Sequence, residues 1–117
     1  MPAPETLELL QGTLDVLILK ALSWGPAHGY GVARWLQHVT DDALRIEEGS
    51  LYPALHRLEK RGCVEARWGL SENNRRAKFY RITARGRQQL RQEAGSWSAF
   101  AAAVGKVLTT TERPALA

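Results

Sequence analysis

Between positions 45 and 91 the sequence carries twelve arginines and lysines against five acids, and Arg57, Lys60, Arg61, Arg67, Arg75, Arg76 and Lys78 are among them. Guanidinium and ammonium groups at this density neutralise phosphates and release the counterions condensed on a polyanion, which gives affinity without sequence information. Residues 1–44 hold two bases and five acids, and residues 92–117 hold two of each, so the overall charge of +4 conceals a concentrated positive field. Close to these cations lie three side chains suited to reading base edges: Ser50, Tyr52 and His56. A serine hydroxyl donates or accepts, and a tyrosine ring can meet a thymine methyl while its hydroxyl reaches a phosphate. The plain alternative is a solvated basic surface with no partner, and charge by itself does not separate the two.

Other chemistries find little support. The sequence has no glycine-rich phosphate loop, no paired-carboxylate constellation and no nucleophile elbow, so an enzyme is not expected. Cys63 is the single cysteine and cannot form an internal disulfide. His28, His38 and His56 lack metal-ligand spacing with it, so neither a metal site nor a cofactor is expected. No apolar run approaches the roughly 20 residues needed to cross a bilayer. The start, Met1-Pro2-Ala3-Pro4-Glu5, has no basic n-region and does not read as a signal peptide. A cytoplasmic protein without membrane association is the expectation.

Elements must position the basic and base-reading groups. Leu7, Leu10, Leu14, Leu17, Ile18, Ala21 and Leu22 recur at three- and four-residue steps, predicting a first helix over 6–23. Leu9 and Val16 lie off that stripe and suggest a second buried face. Gly25-Pro26-Ala27-His28-Gly29 reads as a breaker. A second helix follows over 30–39, with Val32, Ala33, Leu36 and Val39 inward. After a short link, Gly49-Ser50-Leu51-Tyr52-Pro53 opens a third helix, with the proline placed in a first turn whose N–H groups lack partners anyway. Leu51, Leu55 and Leu58 form its core face, and Gly62 stops it after Lys60-Arg61.

The period then changes to two. In 63–68, Val64, Ala66 and Trp68 share one face opposite Glu65 and Arg67; 77–82 is a second strand, and the basic stretch between them completes a hairpin. Thr83 can cap a fourth helix reaching Leu108. Leu90, Ala94, Trp97, Ala101, Val104 and Leu108 step by four and three along it, widened by Phe100. This heptad-like seam needs a second helix, and a homodimer supplies one. The expected class is α+β, mostly α: a winged helix-turn-helix over 1–83, with three helices and a two-stranded wing. A dimerisation helix over 84–108 and a tail over 109–117 complete the division. In that architecture the third helix enters the major groove of double-stranded DNA. A winged helix used only for protein–protein contact is the rival reading, and it predicts salt-insensitive binding.

Three strings carry a family resemblance: His28-Gly29-Tyr30-Gly31, the run from Gly49 through Tyr52-Pro53 to Gly62, and Phe79-Tyr80-Arg81-Ile82-Thr83-Ala84-Arg85-Gly86. Over roughly residues 8–95 the sequence resembles the PadR-like family of bacterial regulators, in particular its compact subgroup with one C-terminal helix. The resemblance implies a homodimer that represses transcription from a palindromic operator, often with effector-controlled release. It places Tyr30 near a phosphate and Ser50, Tyr52 and Pro53 at the DNA end of the third helix. Arg75, Arg76 and Lys78 become wing contacts. His56, Arg57 and Lys60 are the helix candidates offered by residue type and charge; pairing of Arg57 and Lys60 with nearby acids such as Glu59, and packing of Tyr52 against the wing, are the alternatives. The wing departs from the family in lacking a glycine pair; it reads Asn73-Asn74.

The four tryptophans divide. Trp24 and Trp35 are expected to close the core, and Trp68 to pack under the hairpin. Trp97 lies on the seam among small residues, in a Ser96-Trp97-Ser98 string resembling one implicated in drug binding at the dimer centre of compact relatives. The expectation is a planar aromatic effector against Trp97, with Val16 and Ala101 as walls; ordinary interface packing is the alternative.

Overall fold

A computed structural model of the chain describes residues 12–113 and 115. The elements run α1 (Thr13–Leu22), β1 (Ala27–His28), α2 (Gly29–Val39), α3 (Glu48–Lys60), β2 (Val64–Leu70), β3 (Arg76–Ile82) and α4 (Ala84–Thr109). The expected first-helix start, with Leu7, Leu9 and Leu10, lies outside the described residues, as does part of the expected tail.

The helical stripes converge on one core. Leu14, Ile18 and Leu22 of α1 meet Val32 and Leu36 of α2, and Leu51, Leu55 and Leu58 of α3, with Val64, Tyr80 and Ile82 closing it from the sheet. Leu19 and Val16 are also buried, so α1 does bury a second face. Val39, expected inward, is exposed at the end of α2.

The sheet has the order β1-β3-β2 and is antiparallel throughout. The hairpin registers Val64 against Ile82 and Leu70 against Arg76. Its turn needs one left-handed residue, and Asn74 supplies it at φ 59°. Asparagine tolerates that conformation, so the wing closes without the family's glycine pair. The third strand, β1, falls inside the expected breaker: Ala27 pairs with Tyr80 and His28 with Phe79.

Two further expectations need correction. The third helix begins at Glu48, so Pro53 sits in its second turn, not its first. There it withholds an N–H that the Gly49 carbonyl would have accepted. Trp24 and Trp68 are 71% and 61% exposed. Trp24 lies just beyond α1, where Lys20 Nζ stands 5.0 Å from the ring centroid. Trp68 does share a sheet face with Val64, but cover is lost along β2, from buried Val64 through half-buried Ala66 to exposed Trp68. Trp35 is half-buried against the core, as expected.

Thr83 joins the sheet to α4. Its hydroxyl accepts from the Gly86 N–H at 3.0 Å and donates to the Gly62 carbonyl at 2.7 Å, while its own N–H donates to the Cys63 carbonyl at 3.0 Å. A Cβ on Gly86 would stand 2.1 Å from the Cys63 carbonyl oxygen, so only glycine lets α4 start this close to the turn before β2.

Candidate nucleic-acid interface

The string His28–Gly31 builds one edge of the exposed surface. His28 is the N-cap of α2, its Nδ1 accepting from the Gly31 N–H at 2.9 Å. Its ring meets Phe79 edge-on at 5.4 Å and lies 6.3 Å from Tyr30. Gly29 leaves room for Tyr52: a Cβ there would stand 2.8 Å from the Tyr52 ring. Tyr52 is therefore seated against the start of α2 while 43% of it stays exposed.

Tyr30 is exposed, and its hydroxyl accepts from Arg34 Nη1 at 3.1 Å. That hydrogen bond raises the Arg34 pKa further above its ordinary value. Tyr30, Arg34, Arg45 and Tyr52 line a shallow cavity of about 190 Å³ between α2 and the start of α3, with Glu47 and Glu48 at its rim. Burial pushes the neighbouring Tyr80 phenol up, with Glu59 adding to the effect, so it stays neutral.

Along α3 the expected contact residues divide by face. Leu51, Ala54, Leu55 and Leu58 are buried. Pro53, His56 and Lys60 follow at three- and four-residue steps along the exposed back, and Tyr52 occupies the shoulder toward α2. Ser50 and Arg57 fall on the other shoulder, seven residues apart. Arg57 already has a partner: its Nη2 donates to Asp15 Oδ1 at 3.0 Å, and Arg61 Nη1 lies 3.7 Å from Asp15 Oδ2. Asp15, 5% exposed, so ties α1 to α3.

The wing brings its cations alongside. Lys78 Nζ lies 3.7 Å from Glu59 Oε1, a half-exposed pair between the hairpin and α3. Arg67, Arg75 and Arg76 are exposed, and the Arg76 guanidinium stands 4.6 Å from the Trp68 ring centroid.

At the far side, α4 carries an uncovered apolar face of Trp97, Phe100, Val104, Val107 and Leu108. Ala94 is exposed beside it and Ala101 half-buried. Leu90, expected on this seam, instead packs against its own chain's core, because the first turns of α4 still lie over the domain. α1 packs against α4, and Trp97 Nε1 donates to Thr13 Oγ1 at 3.4 Å. Val16, one turn along α1 from Thr13, is buried. No helix among the described residues is long and apolar enough to cross a membrane.

Sequence reasoning missed Asp15, Arg34 and Arg45. Asp15 had a signal, an acid between Leu14 and Val16 on a buried helix; Arg34 follows Tyr30 by four residues, the spacing of helix neighbours.

Three helices, a cationic hairpin and hydrogen-bonding side chains on the exposed side of the third helix define a winged helix-turn-helix regulator. Residues 18–92 match the family described as transcriptional regulator PadR-like. The chain belongs to this family, whose members are DNA-binding transcriptional regulators and not enzymes. Among solved structures it is similar to a PadR family transcriptional regulator from Eggerthella lenta, with 35% identity, a TM-score of 0.70 and 86% of each chain covered. It is also similar to a PadR-like transcriptional regulator from Bacillus cereus, with 30% identity, a TM-score of 0.73, and 86% of this chain and 96% of that one covered. Uncharacterized protein X of Lysinibacillus sphaericus is 30% identical over 91 residues, 78% of this chain and 84% of that protein.

Proposed function

We propose that the chain is a homodimeric repressor that binds a palindromic operator through α3 and the wing. The observation that carries this reading is that Tyr30, Tyr52, Pro53, His56 and Lys60 are exposed on α2 and α3, and Arg75 and Arg76 on a wing whose Lys78 lies beside Glu59 of α3. Tyr30 and the wing cations take phosphates, and Tyr52, Ser50 and His56 reach base edges in the major groove. Arg57 contributes to the field around the site while Asp15 fixes its direction.

The uncovered face of α4 supports dimerisation through Trp97, Phe100, Val104 and Leu108, with Ala94 and Ala101 allowing close approach. The same region supports an effector role for Trp97, whose indole is half exposed beside α1. A planar aromatic compound would change the operator affinity only by favouring one spacing of the two heads over another. Val16 is too enclosed within its own chain to form an open wall, which leaves Trp97 and Ala101 as the contacts.

Enrichment of duplexes from a random-sequence pool tests the reading. A two-fold symmetric motif with half-sites about 34–36 Å apart is expected. Failure to enrich any motif, or enrichment of an asymmetric one, contradicts it.

A further inference from the structure

The inner face of the wing carries two large apolar side chains that the fold leaves bare. Trp68 is 61% exposed and Leu70 67%. They alternate with outward residues on β2, so they share the sheet face that holds Val64 and Ala66 in the core. Opposite them in the register stand Lys78, facing Trp68, and Arg76, facing Leu70. Arg76 also stacks its guanidinium over the Trp68 ring at 4.6 Å. Two exposed apolar groups, framed by two cations toward the tip of the hairpin, form a compact patch on one face.

A tryptophan on a solvated hairpin would ordinarily be disfavoured, and the cations around it select the partner. The patch lies next to α3, so it rests on the reading that α3 enters a major groove. From Trp68 to the turn the hairpin runs on for roughly 10 Å. A tip of that length beside a helix in the major groove faces the neighbouring phosphate strand and the minor groove beyond it, about 6 Å wide. Lys78 and Arg76 meet the phosphates on the way, and stacking holds Arg76 in place before DNA arrives.

We propose that Trp68 and Leu70 form an apolar wedge against the sugars and base edges of the minor groove flanking each half-site. The wedge makes the protein selective for flanking A·T steps that α3 never touches. A·T pairs lack the guanine amino group that would obstruct the groove floor, and pyrimidine–purine steps open readily around an inserted side chain.

Parallel enrichment from one random-sequence duplex pool, using the wild-type protein, Trp68→Ala, Leu70→Ala and Trp68→Phe, tests this. Wild type is expected to enrich a symmetric core with A·T-rich flanks. Trp68→Ala should enrich the same core with the flank preference lost, and bind the wild-type winner roughly tenfold more weakly. Leu70→Ala should show a smaller loss in the same direction. Trp68→Phe, which keeps an apolar plane, should recover most of both effects. Thermal melting of the variants, unchanged for side chains this exposed, separates a lost contact from a lost fold. A core enriched without flank preference by wild type, or flanks retained by Trp68→Ala, overturns the wedge while leaving operator binding intact. Absence of any enriched core overturns the operator reading, and the wedge falls with it.

Discussion

Arg57 shows how a cation near a polyanion site can be committed to the fold. Its partner Asp15 is buried, whereas Arg57 itself is half exposed. Removing the arginine leaves a buried carboxylate with only the more distant Arg61, so Arg57→Ala should cost about 1–3 kcal/mol in urea unfolding. Asp15→Asn should cost less, because the freed arginines stay solvated. Gly29 makes the complementary case. In Gly29→Ala the new methyl must displace the Tyr52 ring, which can move because it is half exposed. Operator affinity, measured by fluorescence anisotropy, should fall several-fold while the protein remains folded. Unchanged affinity would show that the seating of Tyr52 is irrelevant to binding. Residue type and charge pointed to Tyr52, His56 and the wing cations as candidates, and the family resemblance pointed to Tyr30. The Asp15 pairing was not legible in the sequence, because its partner is 42 positions away and no local rule links them.

At the scale of elements, the leucine periodicity of α1 and α3 and the alternation at Val64, Ala66 and Trp68 were enough to order helices and hairpin. They were not enough for β1, since two residues cannot display a period, and its pairing with Tyr80 and Phe79 is decided by tertiary contact. Alternation also overreached at Trp68: it assigns a face correctly, but cannot say where the covering helix ends. The start of α4 was readable from Thr83, and Gly86 explains why the string from Ile82 to Gly86 is built as it is. Gly86→Ala should destabilise the protein by at least about 2 kcal/mol, because the clash is with backbone and cannot be relieved by a rotamer. Thr83→Ala should cost about 1–2 kcal/mol through loss of the cap. Thermal melting checks both, and a wild-type melting temperature for Gly86→Ala would refute the close approach of α4 to Cys63.

The whole molecule is not compact as a single chain. Its Cα radius of gyration is 17.2 Å, against roughly 13 Å for a compact domain of this length. The excess comes with α4, 26 residues long, which extends for about 39 Å and leaves its second half bare. That geometry suits a helix waiting for its copy. Phe100→Asp combined with Val104→Asp should convert a dimer to a monomer in sedimentation equilibrium, and should weaken operator binding by far more than tenfold because two linked half-sites are lost. A variant that sediments as wild type would move the interface elsewhere. Heptad-like spacing had already marked this face, although it counted Leu90, which the domain uses for its own core.

The most direct measurement is the salt dependence of affinity for the enriched duplex, compared between wild type and Arg75→Ala/Arg76→Ala. Wild type should lose affinity steeply as salt rises, and the double variant should show a log–log slope shallower by about one to two contacts. Affinity independent of salt, or an identical slope in the variant, would contradict a wing and helix that grip DNA through this surface.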